Sequence, residues 1–191
     1  MQNPDGTLSV RPPETVQNAF HMKQPLTTLP GIGHWEINCG NASTQAPYSF
    51  NSAISLEDLP NQCKISMNVT FKENTRSCGL MLRTNERFDN AYYYKLEPNR
   101  NRIVFQSAIM HNEGGGKVLP YEVELERPIE LLPDQSYKIT VFVDGSVCEI
   151  YVNDQIAMST RIYDITNGKL GLFVAEGAAR FDDIKIHCLE G

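Results

Sequence analysis

From Trp35 onward, apolar residues tend to fall on every second position. Residues 64–71 are the clearest case. There Ile65, Met67, Val69 and Phe71 alternate with polar neighbours, the period of a half-buried strand. The same signal predicts strands at 48–56, 79–84, 91–97, 102–108, 121–126, 137–143, 147–152, 155–163, 169–176 and 179–187. Asp144-Gly145 between two of these runs marks a tight hairpin. No internal segment sustains a helical period. Many short strands separated by turns predict an all-β chain folded as an antiparallel two-sheet β-sandwich.

The first 30 residues differ. Pro4, Pro12, Pro13, Pro25 and Pro30 punctuate them, and only 14–21 reads as helix, with Pro13 near its first turn and Val16 and Phe20 at i, i+4. The expected division is an arm over 1–30, leading from something upstream, and a sandwich domain over 31–191. Alternation also predicts side-chain direction. Cys148, Ile150 and Val152 share the core face, and Glu149 and Tyr151 the other. Leu80 and Leu82 point one way, Met81 and Arg83 the opposite way. Arg83, Glu149 and Tyr151 are therefore expected on outer faces. Trp35, the one tryptophan, is expected in the core at the first strand.

Of the 191 residues, 41% are hydrophobic, enough for a core, and the net charge of −6 argues against a nucleic-acid partner. No apolar run is long enough for a membrane-spanning helix, and the opening residues are too polar for a signal-peptide core. Five scattered cysteines fit neither a disulfide framework nor a zinc knuckle. Cys63, Cys78 and Cys148 lie in strand-like runs as small hydrophobes. A reducing, cytoplasmic location is expected, with secretion as part of a larger enzyme the alternative. His21, His34, His111 and His187 show no metal-ligand spacing, so neither a metal nor a cofactor is expected.

Four segments carry a family resemblance: VDGSVCEIYVND at 143–154, GKLGLFVAEGAARF at 168–181, and GLMLRT at 79–84 followed by YYYKLE at 92–97. In order and spacing they resemble the C-terminal sandwich of glycoside hydrolase family 32, the invertase and levanase group, and the related fructan-binding modules. QNPDGTLSVRPP at 2–13 resembles the linker that leaves the catalytic propeller in such enzymes. The resemblance implies a concanavalin A-like jelly roll. It also implies an upstream five-bladed β-propeller as partner, and a fructose-containing carbohydrate as candidate ligand. The family's acidic motifs, Asn-Asp-Pro, Arg-Asp-Pro and Glu-Cys, do not occur in this sequence, so no catalytic residue carries over.

Sugar recognition needs forked or carboxylate side chains for vicinal hydroxyls, and arginine's rigid fork suits this. Arg83, Glu86, Asn90, Tyr92, Glu149 and Glu176 are the candidate carbohydrate-binding residues. Arg83 and Tyr92 lead because their segments match the fructan-binding pattern. Where the levan-binding modules carry a tryptophan, this chain has Ala175. An alternative for Arg83 and Glu149 is a cross-strand ion pair. Glu122, Glu124 and Glu126 alternate along one predicted strand, which is similar to the carboxylate strand of concanavalin-like glucanases. The spacing departs from that pattern, and the run reads as a solvated strand face that discourages edge pairing. Three readings follow: an ancillary module packing on a propeller, a binder of terminal β-fructosides, and, least supported, a stand-alone glucanase-like hydrolase.

Overall fold

The computed structural model describes residues 6, 9–108 and 125–189. The chain runs α1 (Glu14–Ala19), β1 (Met22–Lys23), β2 (Thr28–Ile32), β3 (Trp35–Asn38), β4 (Asn41–Asp58), β5 (Gln62–Phe71), β6 (Ser77–Thr84) and β7 (Ala91–Glu97). After a 3-10 turn at Pro98–Arg100 come β8 (Arg102–Ala108), β9 (Leu125–Pro128), β10 (Ser136–Asp144), β11 (Val147–Val152), β12 (Ile156–Arg161) and β13 (Lys169–Cys188). Strands β7, β8 and β11 coincide with the runs that alternation predicts. The predicted strand at 121–126 lies mostly outside the described residues.

Two long strands, β4 and β13, build the sandwich by running through both of its sheets. The first halves of β13 and the last residues of β4 lie beside β2 and β6, giving a back sheet ordered β2-β4-β13-β6-β7-β8-β9. Their other halves lie in a front sheet ordered β3-β4-β13-β5-β10-β11-β12, where β1 pairs with the end of β13. All pairings are antiparallel. The crossing is a bulge. Ala175 pairs with Phe50 and Gly177 with Ala46, so Pro47, Tyr48 and Ser49 stand opposite Glu176. Pro47 has no N–H to lose from the ladder there. A Cβ on Gly177 would meet Thr75 Cα at 2.4 Å, so a glycine is needed. Two strands expected at 169–176 and 179–187 are therefore one.

The core lies between the sheets. On the back sheet one inward row is Ala53, Leu172, Leu80, Tyr94 and Phe105; on the front sheet another is Cys63, Val143 and Cys148. Trp35 is buried against Phe181, and its indole N–H donates to the Ile32 carbonyl. Cys63, Cys78 and Cys148 are buried free thiols, and burial pushes Cys148 up to about 12.

From residue 14 on, the arm packs on the sandwich. Residue 30 falls inside β2, which pairs with β4. Helix α1 brings Phe20 onto the outer face of the front sheet, where it packs edge-on against Phe142 at 5.5 Å beside Tyr151. Lys64 Nζ donates to the Gln17 carbonyl at 2.9 Å. Tyr151 does face outward, as alternation predicts, and the arm covers it.

Candidate functional site

Arg83 departs from the direction that alternation predicts. Alternation places its side chain on the outer face, yet the residue is 3% exposed. The cause is a bulge. Lys169 pairs with Thr84 and Gly171 with Met81, which leaves β6 one residue longer than β13, and Arg83 takes a positive φ of 55°. That turn sends the guanidinium between the sheets. Nη1 donates to the carbonyls of Ile162 (3.3 Å) and Ile165 (2.7 Å), and Nη2 to Gly145 O and Asn61 Oδ1 (3.4 Å). The fork thus ties the 162–165 loop to the β10–β11 hairpin, and the cross-strand pair with Glu149 is not formed. Gly168 makes room, since a Cβ there would meet the Arg83 carbonyl oxygen at 2.5 Å.

Tyr92 holds the same loop. It is buried, its ring stacks on Phe105 at 6.0 Å, and its hydroxyl oxygen accepts the N–H groups of Asp164 (2.8 Å) and Ile165 (3.1 Å). Burial raises its hydroxyl pKa, and the two N–H donors partly oppose this. Arg83 also lines a concavity of about 410 Å³ with Asn61, Gln62, Asp144, Ser146 and Thr166.

The remaining candidates do not gather there. Glu86 is exposed and Asn90 half-buried in the loop after β6, where Asn90 Nδ2 donates to Asp89. Glu149 lies on the outer face of β11 and accepts the hydroxyls of Tyr151 and Ser159, each at 2.9 Å. Burial and this carboxylate push Tyr151 up to about 12. Glu176 sits at the bulge, paired with Arg76. Ala175 next to it pairs with Ser77, six residues along β6 from Arg83, roughly 20 Å away. Glu126 forms an ion pair with Arg102; Glu122 and Glu124 lie outside the described residues.

Two other surfaces stand out. The first is the outer face of the back sheet. Every residue of β6 is buried, which requires cover on both sides. One side is the core. On the other, Met81, Ala91 and Phe173 form a separate apolar layer under Phe50, Phe88 and Tyr93. Phe50 stacks on Phe173 at 5.7 Å, and Tyr93 meets it edge-on at 5.3 Å. Phe88 lies over Gly31, leaving no room for a Cβ. At the rim Leu29, Ile32 and Leu56 are exposed. Leu29 pairs with Ile54 and Ile32 with Ser52, in the rows that continue to Met81 and Phe173.

The second is a groove of about 540 Å³ across the outer face of the front sheet. Its floor follows one register row, Glu36–Ser43–Arg180–Thr70. Ser43, Thr70 and Ala178 are its short side chains, beside the longer Glu36, Lys72 and Arg180. Arg180 Nε bonds Asp182 at 2.7 Å, and Lys72 bonds Asp134 across the groove's end. Its surface thus offers carboxylate, guanidinium, hydroxyl and, from the exposed His34, imidazole groups, while Phe71 beneath it is buried. Glu36 and Arg180 were not singled out from sequence. They lie on different strands 144 positions apart, brought together through Ser43 by the pairing of β4 with β3 and β13.

A family model described as "Glycosyl hydrolases family 32 C terminal" matches residues 38–188. Among solved structures, the carbohydrate binding module CBM66 from Bacillus subtilis superposes with a TM-score of 0.70 at 16% identity, covering 84% of this chain and 94% of that one. A protein of unknown function with a galectin-like fold from Bacillus subtilis superposes at 0.60 with 13% identity, covering 85% and 89%. The Aspergillus kawachii beta-fructofuranosidase superposes at 0.54 with 14% identity. There the match covers 87% of this chain but only 28% of the enzyme. No curated protein sequence matches the chain. The fold is the antiparallel sandwich expected from the strand pattern, in the jelly-roll form that the family resemblance implies.

Proposed function

The chain belongs to the family of C-terminal domains of family 32 glycosyl hydrolases, and we propose that it is a non-catalytic companion docking on a catalytic domain through the outer face of the back sheet. The carrying observation is the apolar layer over β6, with Leu29, Ile32 and Leu56 open at its rim. Exposed apolar residues clustered beside a buried aromatic layer mark an interaction surface. The partner in this reading is the catalytic domain of its own enzyme. Deuterium exchange, compared between the chain alone and the chain joined to that domain, tests it. Slowed exchange at 28–32 and 85–90 supports this docking face. Slowing confined to the opposite face, at Glu36 and Arg180, overturns it.

A second reading, capture of a fructose-containing carbohydrate, is favoured by the polar groove on the front sheet. A carboxylate and a guanidinium on the two strands that flank Ser43 suit a polyol, and the groove's size falls in the usual range for ligand sites, about 300–1,000 Å³. Arg83 and its concavity are the other seat for the same ligand. Affinity electrophoresis on inulin and levan separates them. R180A and E36Q should release a groove-bound polymer, whereas loss of retardation only in R83A would move the site. No retardation of the parent chain would remove this reading.

A further inference from the structure

We propose that Cys63 and Cys188 form an oxidisable pair, which closes into a disulfide tying the end of the last strand to β5. The two residues are direct partners in the β13–β5 ladder. Cys63 is fully buried in the core, and Cys188 packs against that core half-buried. The ladder's phase places their side chains close. Gln24 N–H donates to the Ile186 carbonyl, so Ile186 turns its main-chain groups toward the arm. By alternation Cys188 does the same, which makes Cys188–Cys63 a non-hydrogen-bonded pair on the β5 side. Such pairs hold their α-carbons about 4.5 Å apart, within the 4.4–6.8 Å window of disulfides.

The pairing is selective. Cys148 follows Cys63 in the same inward row, but Val143 stands between them. Two strand spacings put the backbones roughly 9.6 Å apart, beyond bridging. Cys39 is exposed outside this row.

The oxidant is a low-molecular-weight disulfide such as oxidised glutathione. Cys188, the more open thiol, gives its proton to water, and its thiolate attacks the oxidant, releasing one thiol and forming a mixed disulfide. The Cys63 sulfur then attacks the Cys188 sulfur of the mixed disulfide, its proton passing to the departing thiolate, which leaves as the second thiol. Two protein thiols are oxidised and one small disulfide is reduced to two thiols. Cys188 also pairs with Met22 on its other side, so the bond would fix the strand end on which β1 docks.

The full chain, incubated with oxidised glutathione and mapped by peptide mass spectrometry, tests the pair. The expected product is a Cys63–Cys188 peptide, with the intact mass lower by two hydrogens and a melting temperature higher by roughly 5–15 °C. C188S should lose both changes while its reduced form melts close to the reduced parent. The proposal is overturned if Cys63 and Cys188 still alkylate after unfolding while Cys39 carries glutathione. A mixed disulfide on Cys188 that Cys63 never displaces overturns it as well.

Discussion

Arg83 is a charge held between two sheets by neutral oxygens, three of them main-chain carbonyls. Its removal should unfasten the 162–165 loop from the β10–β11 hairpin. R83A is expected to lose about 3 kcal/mol, near 10 °C in melting temperature, in urea and thermal unfolding. R83K should recover little, because an ammonium cannot reach acceptors on both sides of a planar fork. The residue type was legible in the sequence but its direction was not. A bulge adds one residue without disturbing the apolar pattern around it, so alternation carries Arg83 to the wrong face. His187 gives a second residue-scale prediction. Burial, then the charges of Lys64, Lys185 and Lys23, hold its pKa below the ordinary value. An unfolded histidine gains its proton near pH 6.5, so just below that the unfolded chain binds more protons than the folded one. Stability should therefore be full above about pH 6.5 and fall as pH drops toward the lowered value. H187Q should flatten that slope, read as the urea midpoint at about pH 7.5 and 5.5.

Among the elements, the arm is the one whose role sequence left open. Its helix is legible from Pro13 and the spacing of Val16 and Phe20, and the structure has it at Glu14–Ala19. Its seat is not legible, because the aromatic pair that receives Phe20 belongs to strands more than 120 positions away. Phe20 docks and Val16 stays exposed. F20A should free the arm without unfolding the sandwich. Limited proteolysis should then cut within 14–23 many times faster, while deuterium exchange of β5 and β10 is unchanged. Strands β7, β8 and β11 were fully legible because they are regular and bounded by turns. Strand β2 was not, since Pro30 and Gly31 break its pattern and its partner β4 supplies the order. The break within β13 looked like a strand end for the same kind of reason: Gly177 marks a crossing between sheets, which local pattern cannot distinguish from a turn.

At the scale of the molecule, the two sheets present opposite chemistry. The back sheet carries an aromatic layer with an open apolar rim, and the front sheet a polar groove partly bordered by ion pairs. Docking through the first would leave the second in solvent, so packing and carbohydrate capture are compatible on one module. The double substitution L29D/L56D tests docking through the back sheet directly. Both side chains are exposed in the chain alone, where surface changes usually alter stability by less than about 0.5 kcal/mol. Thermal unfolding of this variant should match the parent when the chain is alone, and show the attached catalytic domain melting several degrees lower when the two are joined. Equal melting of variant and parent in the joined protein would contradict the claim.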